Sequence, residues 1–242
     1  MNNLDDFKLD EFLFMEWLRP EVVVWHTVAE KLISDALSSS NNIMEIAIGN
    51  GFFTYMALGG EFNKDFDHYY SINHNGFLSN VDIYDCAPDY EIKQFIKKMP
   101  DKKIKVALDH KQHLLDHVKG MGFAEDLICM DANDFISVDN IETIYTNALY
   151  WLNEPFKVLD NFQSILPVGG KIIIVFPNDN FYSYARSFNR ESPMWKMLNR
   201  GRADSVMWTQ NLSDFERKIK QLNLTAVFVK VVVRFIHAAF NK

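Results

Sequence analysis

Short apolar runs that end in glycine or an acid alternate along this chain with stretches whose apolar residues recur at helical spacing. The runs are Ile43 to Ile48, Ile104 to Leu108, Leu127 to Met130, Ile141 to Asn147 and Lys171 to Phe176. Each is four to seven residues long and bounded by turn-forming residues, the signature of a strand buried on both faces of a parallel sheet. Between them, Phe52 to Leu58, His110 to Gly120 and the set Phe156, Leu159, Phe162 and Leu166 read as helices. A further helix is expected over Leu212 to Leu222, with Ser213 as its cap, followed by a strand over Thr225 to Val233. Strand and helix in regular alternation predict an α/β fold around a mostly parallel, doubly wound sheet.

Two parts of the chain stand outside that alternation. Leu4 to Ser40 reads as helical, with an apolar cluster of Phe7, Phe12, Phe14, Met15, Trp17 and Leu18, a helix start at Pro20, and Val22 to Ile33 at helical spacing. This pair is expected to pack on the domain or to cover its pocket. Gly59 to Lys105 lengthens the path to the second strand far beyond the usual twenty residues. It is read as an insertion (59–103) with a strand over Val81 to Cys86 and a helix over Pro88 to Met99. Its Asp, His and Asn residues, among them Asp65, Asp67, His68 and His74, read as a solvated loop in preference to a metal site.

Composition narrows the function classes. A chain of 242 residues with 48% hydrophobic content is long enough for one large domain. A net charge of -7 argues against duplex nucleic acid as main partner. Cys86 and Cys129 make neither a disulfide framework nor a metal spacing, and both are expected as small core residues. No run approaches the roughly 20 apolar residues of a membrane span. No charged start followed by an apolar core marks a signal peptide, so the cytoplasm is the expected compartment.

The chemistry centres on Asn42 to Thr54, NIMEIAIGNGFFT. A strand that breaks at Gly49-Asn50-Gly51 and resumes as a helix lets backbone approach a nucleotide closely. The dinucleotide fingerprint G-x-G-x-x-G fails at Thr54. Glu45, four residues before Gly49, with Ala47, Gly49 and Gly51 following at alternate positions, resembles instead the E-x-G-x-G-x-G motif of class I S-adenosylmethionine-dependent methyltransferases. Ala47 departs from it where the family has its first glycine. Three further landmarks follow in order: Asp109 after Ile104 to Leu108, Asp131 after Leu127 to Met130, and the L-x-P-G-G-like turn Leu166-Pro-Val-Gly-Gly before Lys171 to Phe176.

The resemblance implies a Rossmann-like domain that binds S-adenosylmethionine. Glu45 would face the cofactor's amino group, and Ala47, Gly49, Asn50 and Gly51 would pass its methionine part. Asp109 would accept hydrogen bonds from both ribose hydroxyls, with Asp85 the competing acid and His110 beside it. Asp131, Ala132 and Asn133 would lie near the adenine, and Asn147 would end the fourth strand at the same edge. The RPE and ALDHK stretches and the NRGR segment resemble a smaller group associated with bacterial surface-polysaccharide gene clusters, which tilts the acceptor toward a sugar.

The expected activity is methyl transfer to a small-molecule or sugar-like acceptor, at oxygen. The alternatives are a cofactor-binding protein without turnover and a nicotinamide-dependent oxidoreductase. No base can be fixed from sequence: His26, His110 and Glu154 compete, and Tyr150 and Trp151 are candidates to line the acceptor pocket or to fill core. From Arg186 to Arg202 five basic residues stand against the single acid Glu191. As part of a substrate cover over 178–210, such a segment would attract an anionic acceptor.

Overall fold

A computed structural model describes residues 8–17, 20–69, 90–135, 138–176 and 212–222. In chain order its strands are β1 (Ile43–Ile46), β2 (Glu61–Phe62), β3 (Ile96–Lys98), β4 (Ile104–Asp109), β5 (Ala124–Cys129), β6 (Thr143–Thr146) and β7 (Lys171–Ile174). Its α-helices are α1 (Leu9–Glu16), α2 (Pro20–Ser38), α3 (Phe52–Ala57), α4 (Gln112–Met121), α5 (Pro155–Ile165) and α6 (Leu212–Gln221). Five strands form one sheet in the order β5-β4-β1-β6-β7, every neighbouring pair parallel.

The register explains why the runs lack alternation. Met44 and Ile46 of β1, Val106 and Leu108 of β4 and Ile144 of β6 point to one face, into a core with Val158, Leu159 and Phe162 of α5 and Phe215 and Ile219 of α6. Ile43 of β1, Ala107 of β4 and Tyr145 of β6 point to the other, against α2, α3 and α4. The three central strands therefore bury both their faces, whereas β5 and β7 are only partly buried. The helices end where their sequence says they should. Pro155, whose missing N–H costs nothing in the first turn, opens α5, and Gly122 in the left-handed region (φ 71°) closes α4.

The core on the α2–α3–α4 side is aromatic. Phe52 meets Phe62 and Phe66 edge-on at ring-centroid distances of 5.4 and 5.3 Å, and Tyr55 stacks on Phe62 at 4.8 Å. Phe62, Phe66, Tyr90, Ile92 and Phe95 all come from the described ends of the 59–103 insertion, so these ends are part of the domain core.

Inside the insertion the helix expected over Pro88 to Met99 is not formed by its described part. Ile92–Phe95 makes one 3-10 turn, and Ile96–Lys98 then pairs antiparallel with Glu61–Phe62. β-favouring Phe95 and Ile96 lead into and open this strand, and a partner strand is at hand, which outweighs the weak helical pattern. Asp85 and the strand over Val81 to Cys86 lie outside the described residues, as do the 178–210 cover and the strand over Thr225 to Val233. No helix among the described residues is long and apolar enough to cross a membrane.

Candidate functional site

β1 sits between β4 and β6, so the chain leaves it toward one side of the sheet and later returns on the other. At such a switch point the connections diverge and open a crevice beyond the strands' C-terminal ends. The turn after β1 lies there, and four groups hold it. The Gly49 N–H donates to Asp109 Oδ2 at 2.9 Å. The Asn50 side-chain oxygen accepts from the Phe52 N–H at 3.2 Å, and the Asn50 carbonyl lies 3.3 Å from His117 Nδ1. The Gly51 N–H donates back to the Ile48 carbonyl at 3.2 Å.

Its two glycines answer different demands. Both have left-handed backbone, φ 62° at Gly49 and 76° at Gly51. A Cβ on Gly51 would stand 2.9 Å from Val118 and 3.0 Å from Met121, whereas one on Gly49 would meet nothing within 4 Å. Gly51 is required by packing, and Gly49 faces open space. Ala47 is also left-handed at φ 56°, which is the reason a glycine fits that position in the motif.

The acids divide by depth. Glu45 is 1% exposed, beneath the turn; its Oε1 accepts from the Thr54 hydroxyl at 2.8 Å, while the enclosed Oε2 has no hydrogen-bond partner. Burial, opposed by the Thr54 hydrogen bond and reinforced by nearby Asp109, holds its carboxyl well above the ordinary range. Tyr145, opposite Glu45 in register, has its phenol raised by burial and by Glu45. Asp109, at 4% exposure, also accepts from the Lys111 N–H at 3.0 Å. Two of its roughly four lone-pair sites are thus taken, and the others remain. His110 is exposed, 3.4 Å from Asp109.

At the end of β5, Asp131 is exposed and its Oδ1 accepts from the Asn133 backbone at 2.8 Å and side-chain amide at 2.7 Å. Asn133 Oδ1 is enclosed and unpartnered, Ala132 is buried in the α5-side core, and Met130 exposes 41% of its surface beside them. Cys129 is exposed, not the core residue expected, because β5 is the edge strand of the described sheet. Asn147 is half-buried just past β6.

Of the three bases considered, Glu154 is exposed at the start of α5, 3.4 Å from Lys157. His26 lies on α2, its Nδ1 2.6 Å from Glu16 Oε2. Tyr150 and Trp151 form a half-buried tilted pair in a 3-10 turn after β6. Sequence reasoning missed His117, Thr54, Tyr145 and Met130. Only Met130, next to Asp131, had a local signal; the others matter through contacts that need the folded register.

No protein-family model and no curated protein matches the sequence. Among solved structures the chain is similar to YcgJ from Bacillus subtilis, at 11% identity over 89% of this chain and 78% of that one, with a TM-score of 0.50. It is also similar to the plantazolicin methyltransferase BpumL, solved with a pentazolic desmethylPZN analog and SAH, at 17% identity, 81% and 62% coverage and a TM-score of 0.49. For the plantazolicin methyltransferase BamL, solved with a triazolic analog and SAH, the values are 12% identity, 81% and 59% coverage and a TM-score of 0.47. The chain thus spans about three-fifths of the length of these two enzymes. The likeness is one of fold: a five-stranded parallel sheet in the order β5-β4-β1-β6-β7, flanked by helices, is a Rossmann-like architecture.

Proposed function

We propose that this chain is an S-adenosylmethionine-dependent methyltransferase acting at oxygen on a small-molecule or sugar-like acceptor. The observation that carries the reading is the clustering, at the switch point, of an open glycine turn, a strand-end acid tied to it and an unpartnered amide oxygen past the next strand end. These features fit the cofactor. Gly49 leaves the turn unobstructed, Asp109 keeps lone pairs for a ribose diol, and Asn133 Oδ1, enclosed without a donor, suits the amino group of an adenine. Met130 supplies an exposed apolar side chain beside that edge. Glu45 is too deep to face the crevice as the structure stands, so its part is to support the turn through Thr54.

When bound, the cofactor supplies a methyl group on a positively charged sulfur. The protein's contribution is to hold the acceptor in line and to exclude water. The basic segment Arg186 to Arg202 would favour an acceptor carrying phosphate or carboxylate. Calorimetric titration with S-adenosylmethionine, S-adenosylhomocysteine and NAD tests the reading: binding of the two adenosyl ligands alone is expected. Asp109→Ala is expected to weaken S-adenosylhomocysteine by about 2–3 kcal/mol, roughly 30- to 150-fold, from the loss of hydrogen bonds to a charged group. Silence toward both adenosyl ligands would overturn it. Binding without transfer to any hydroxyl acceptor would point to the fold acting as a cofactor-binding protein.

A further inference from the structure

We propose that His26, oriented by Glu16, takes the proton of the acceptor hydroxyl; this assignment rests on the methyltransferase reading above. Glu16 is the last residue of α1 and is 5% exposed. Its Oε2 lies 2.6 Å from His26 Nδ1. A carboxylate accepts only from a protonated ring nitrogen, so the neutral ring holds its proton on Nδ1 and its lone pair on Nε2. Among the described residues Nε2 has no hydrogen-bond partner, and it is not one of their enclosed unpartnered polar atoms. A buried carboxylate behind an imidazole whose far nitrogen is open is the arrangement of a general base with its orienting group.

The fold puts this pair at the right edge. α2 runs directly into β1 through a four-residue linker and packs on α3, so its first half lies toward the sheet's C-terminal edge. There the His26 ring stands 4.9 Å from the ring of Phe53, two residues past Gly51, and 5.6 Å from Phe12. The imidazole therefore overlies the start of the helix that leaves the cofactor turn, walled by aromatic rings. A pair serving only to staple α1 to α2 would gain little from burying a carboxylate, because desolvation offsets most of the Coulombic attraction.

In the step assigned to it, the acceptor's O–H bond breaks and its proton forms a bond to His26 Nε2. The oxygen's electron pair forms the bond to the methyl carbon, and the carbon–sulfur pair stays on sulfur. Glu16 is a positioning residue that balances the imidazolium charge.

The test reads the reactivity of Nε2 and needs no acceptor. Carbethoxylation by diethyl pyrocarbonate is followed at each histidine by mass spectrometry, with and without saturating S-adenosylhomocysteine. His26 is expected to react far faster than enclosed His117, severalfold more slowly with the ligand bound, and severalfold more slowly in Glu16→Gln. His26→Gln is expected to leave the ligand's calorimetric affinity unchanged. A staple would instead lower the melting temperature of Glu16→Gln and leave His26 reactivity indifferent to ligand, which would overturn the assignment. Failure of S-adenosylhomocysteine to bind at all would remove the methyltransferase reading and the base with it. Binding with an unresponsive His26 would remove the base alone.

Discussion

The two halves of the ligand edge are built on opposite plans. On the β1–β4 side, separate bonds hold the turn and what lies beneath it: Gly49 to Asp109, Asn50 to His117, Gly51 to Ile48 and Thr54 to Glu45. At the end of β5, Cys129, Met130 and Asp131 are exposed, and Asn133 bonds only within its own turn. The first half gains a fixed backbone at the cost of buried polar atoms left without partners, since Glu45 Oε2 and His117 Nε2 are both enclosed. The second gives up rigidity and keeps Asp131 and Met130 exposed, with one enclosed atom of its own in Asn133 Oδ1. Substitutions at the enclosed groups of the first half should therefore register in stability, and substitutions at groups that face the crevice, Gly49 and Asp109 among them, should register in binding.

The largest effect is expected at the turn. Gly51→Ala combines left-handed backbone with contacts of 2.9 and 3.0 Å to Val118 and Met121, and should destabilise by roughly 4 kcal/mol in urea unfolding. Gly49→Ala carries only the backbone term, about 1–2 kcal/mol. Its methyl group projects into the open crevice, so its main loss should be in S-adenosylhomocysteine affinity. Equal stability losses at the two glycines would erase the distinction between a packed and an open side of the turn.

Next in size are the pH limbs of the buried half. Burial lowers the His117 imidazole to about 4 from its ordinary 6.5, against a smaller opposing effect of the Asn50 carbonyl. Below pH 6.5 the unfolded chain takes a proton that the folded chain refuses until about pH 4. Stability is therefore lost on acidification through that window, by about 3 kcal/mol. Glu45 acts in the opposite direction. Its folded carboxyl keeps a proton above the ordinary 4.5, which the unfolded chain has released, so stability falls as pH rises past that value. Glu45→Gln, which retains the bond to Thr54, should stabilise the protein at pH 7–8 and converge with the parent near pH 4.5. His117→Gln should remove the acid limb. A destabilised Glu45→Gln at every pH would mean the carboxylate is ionised in the folded chain and that this half is less closed than described.

The alternation of runs was enough to read five parallel strands, and for the central β1, β4 and β6 burial on both faces writes itself into local composition. The turn, Asp109 and Asp131 were legible for a related reason: an acid or glycine at the end of an apolar run stands out. What escaped reading depends on register. Tyr145 faces Glu45 only because β6 pairs with β1 two residues before Asn147, and His117 reaches Asn50 across 67 residues of chain. His26 stood in the sequence only as a lone base candidate, and Glu16 carried no signal until the α1–α2 packing joined them. The strand at Ile96–Lys98 was misread as helix because its partner, Glu61–Phe62, lies more than thirty residues away.

The smallest expected effect bears on the departure from the glycine pattern. Ala47 sits at φ 56° within the tight half and packs partly against the α5-side core. Ala47→Gly removes a left-handed alanine, a gain of about 1–2 kcal/mol. Against it stand the extra entropy of glycine in the unfolded chain, about 0.5–1 kcal/mol, and the loss of a half-buried methyl, which at full burial would be about 0.8 kcal/mol. The balance is a net stabilisation of about 0.5 kcal/mol, within reach of paired urea titrations. Because the Ala47 side chain packs toward α5 and not over Gly49, S-adenosylhomocysteine affinity should stay within about twofold of the parent, a change below 0.5 kcal/mol. A large gain in affinity would show that the methyl intrudes on the crevice and that the tight half narrows its own site. A destabilisation above 1 kcal/mol would show that the core contact outweighs the strain and that alanine belongs there for packing.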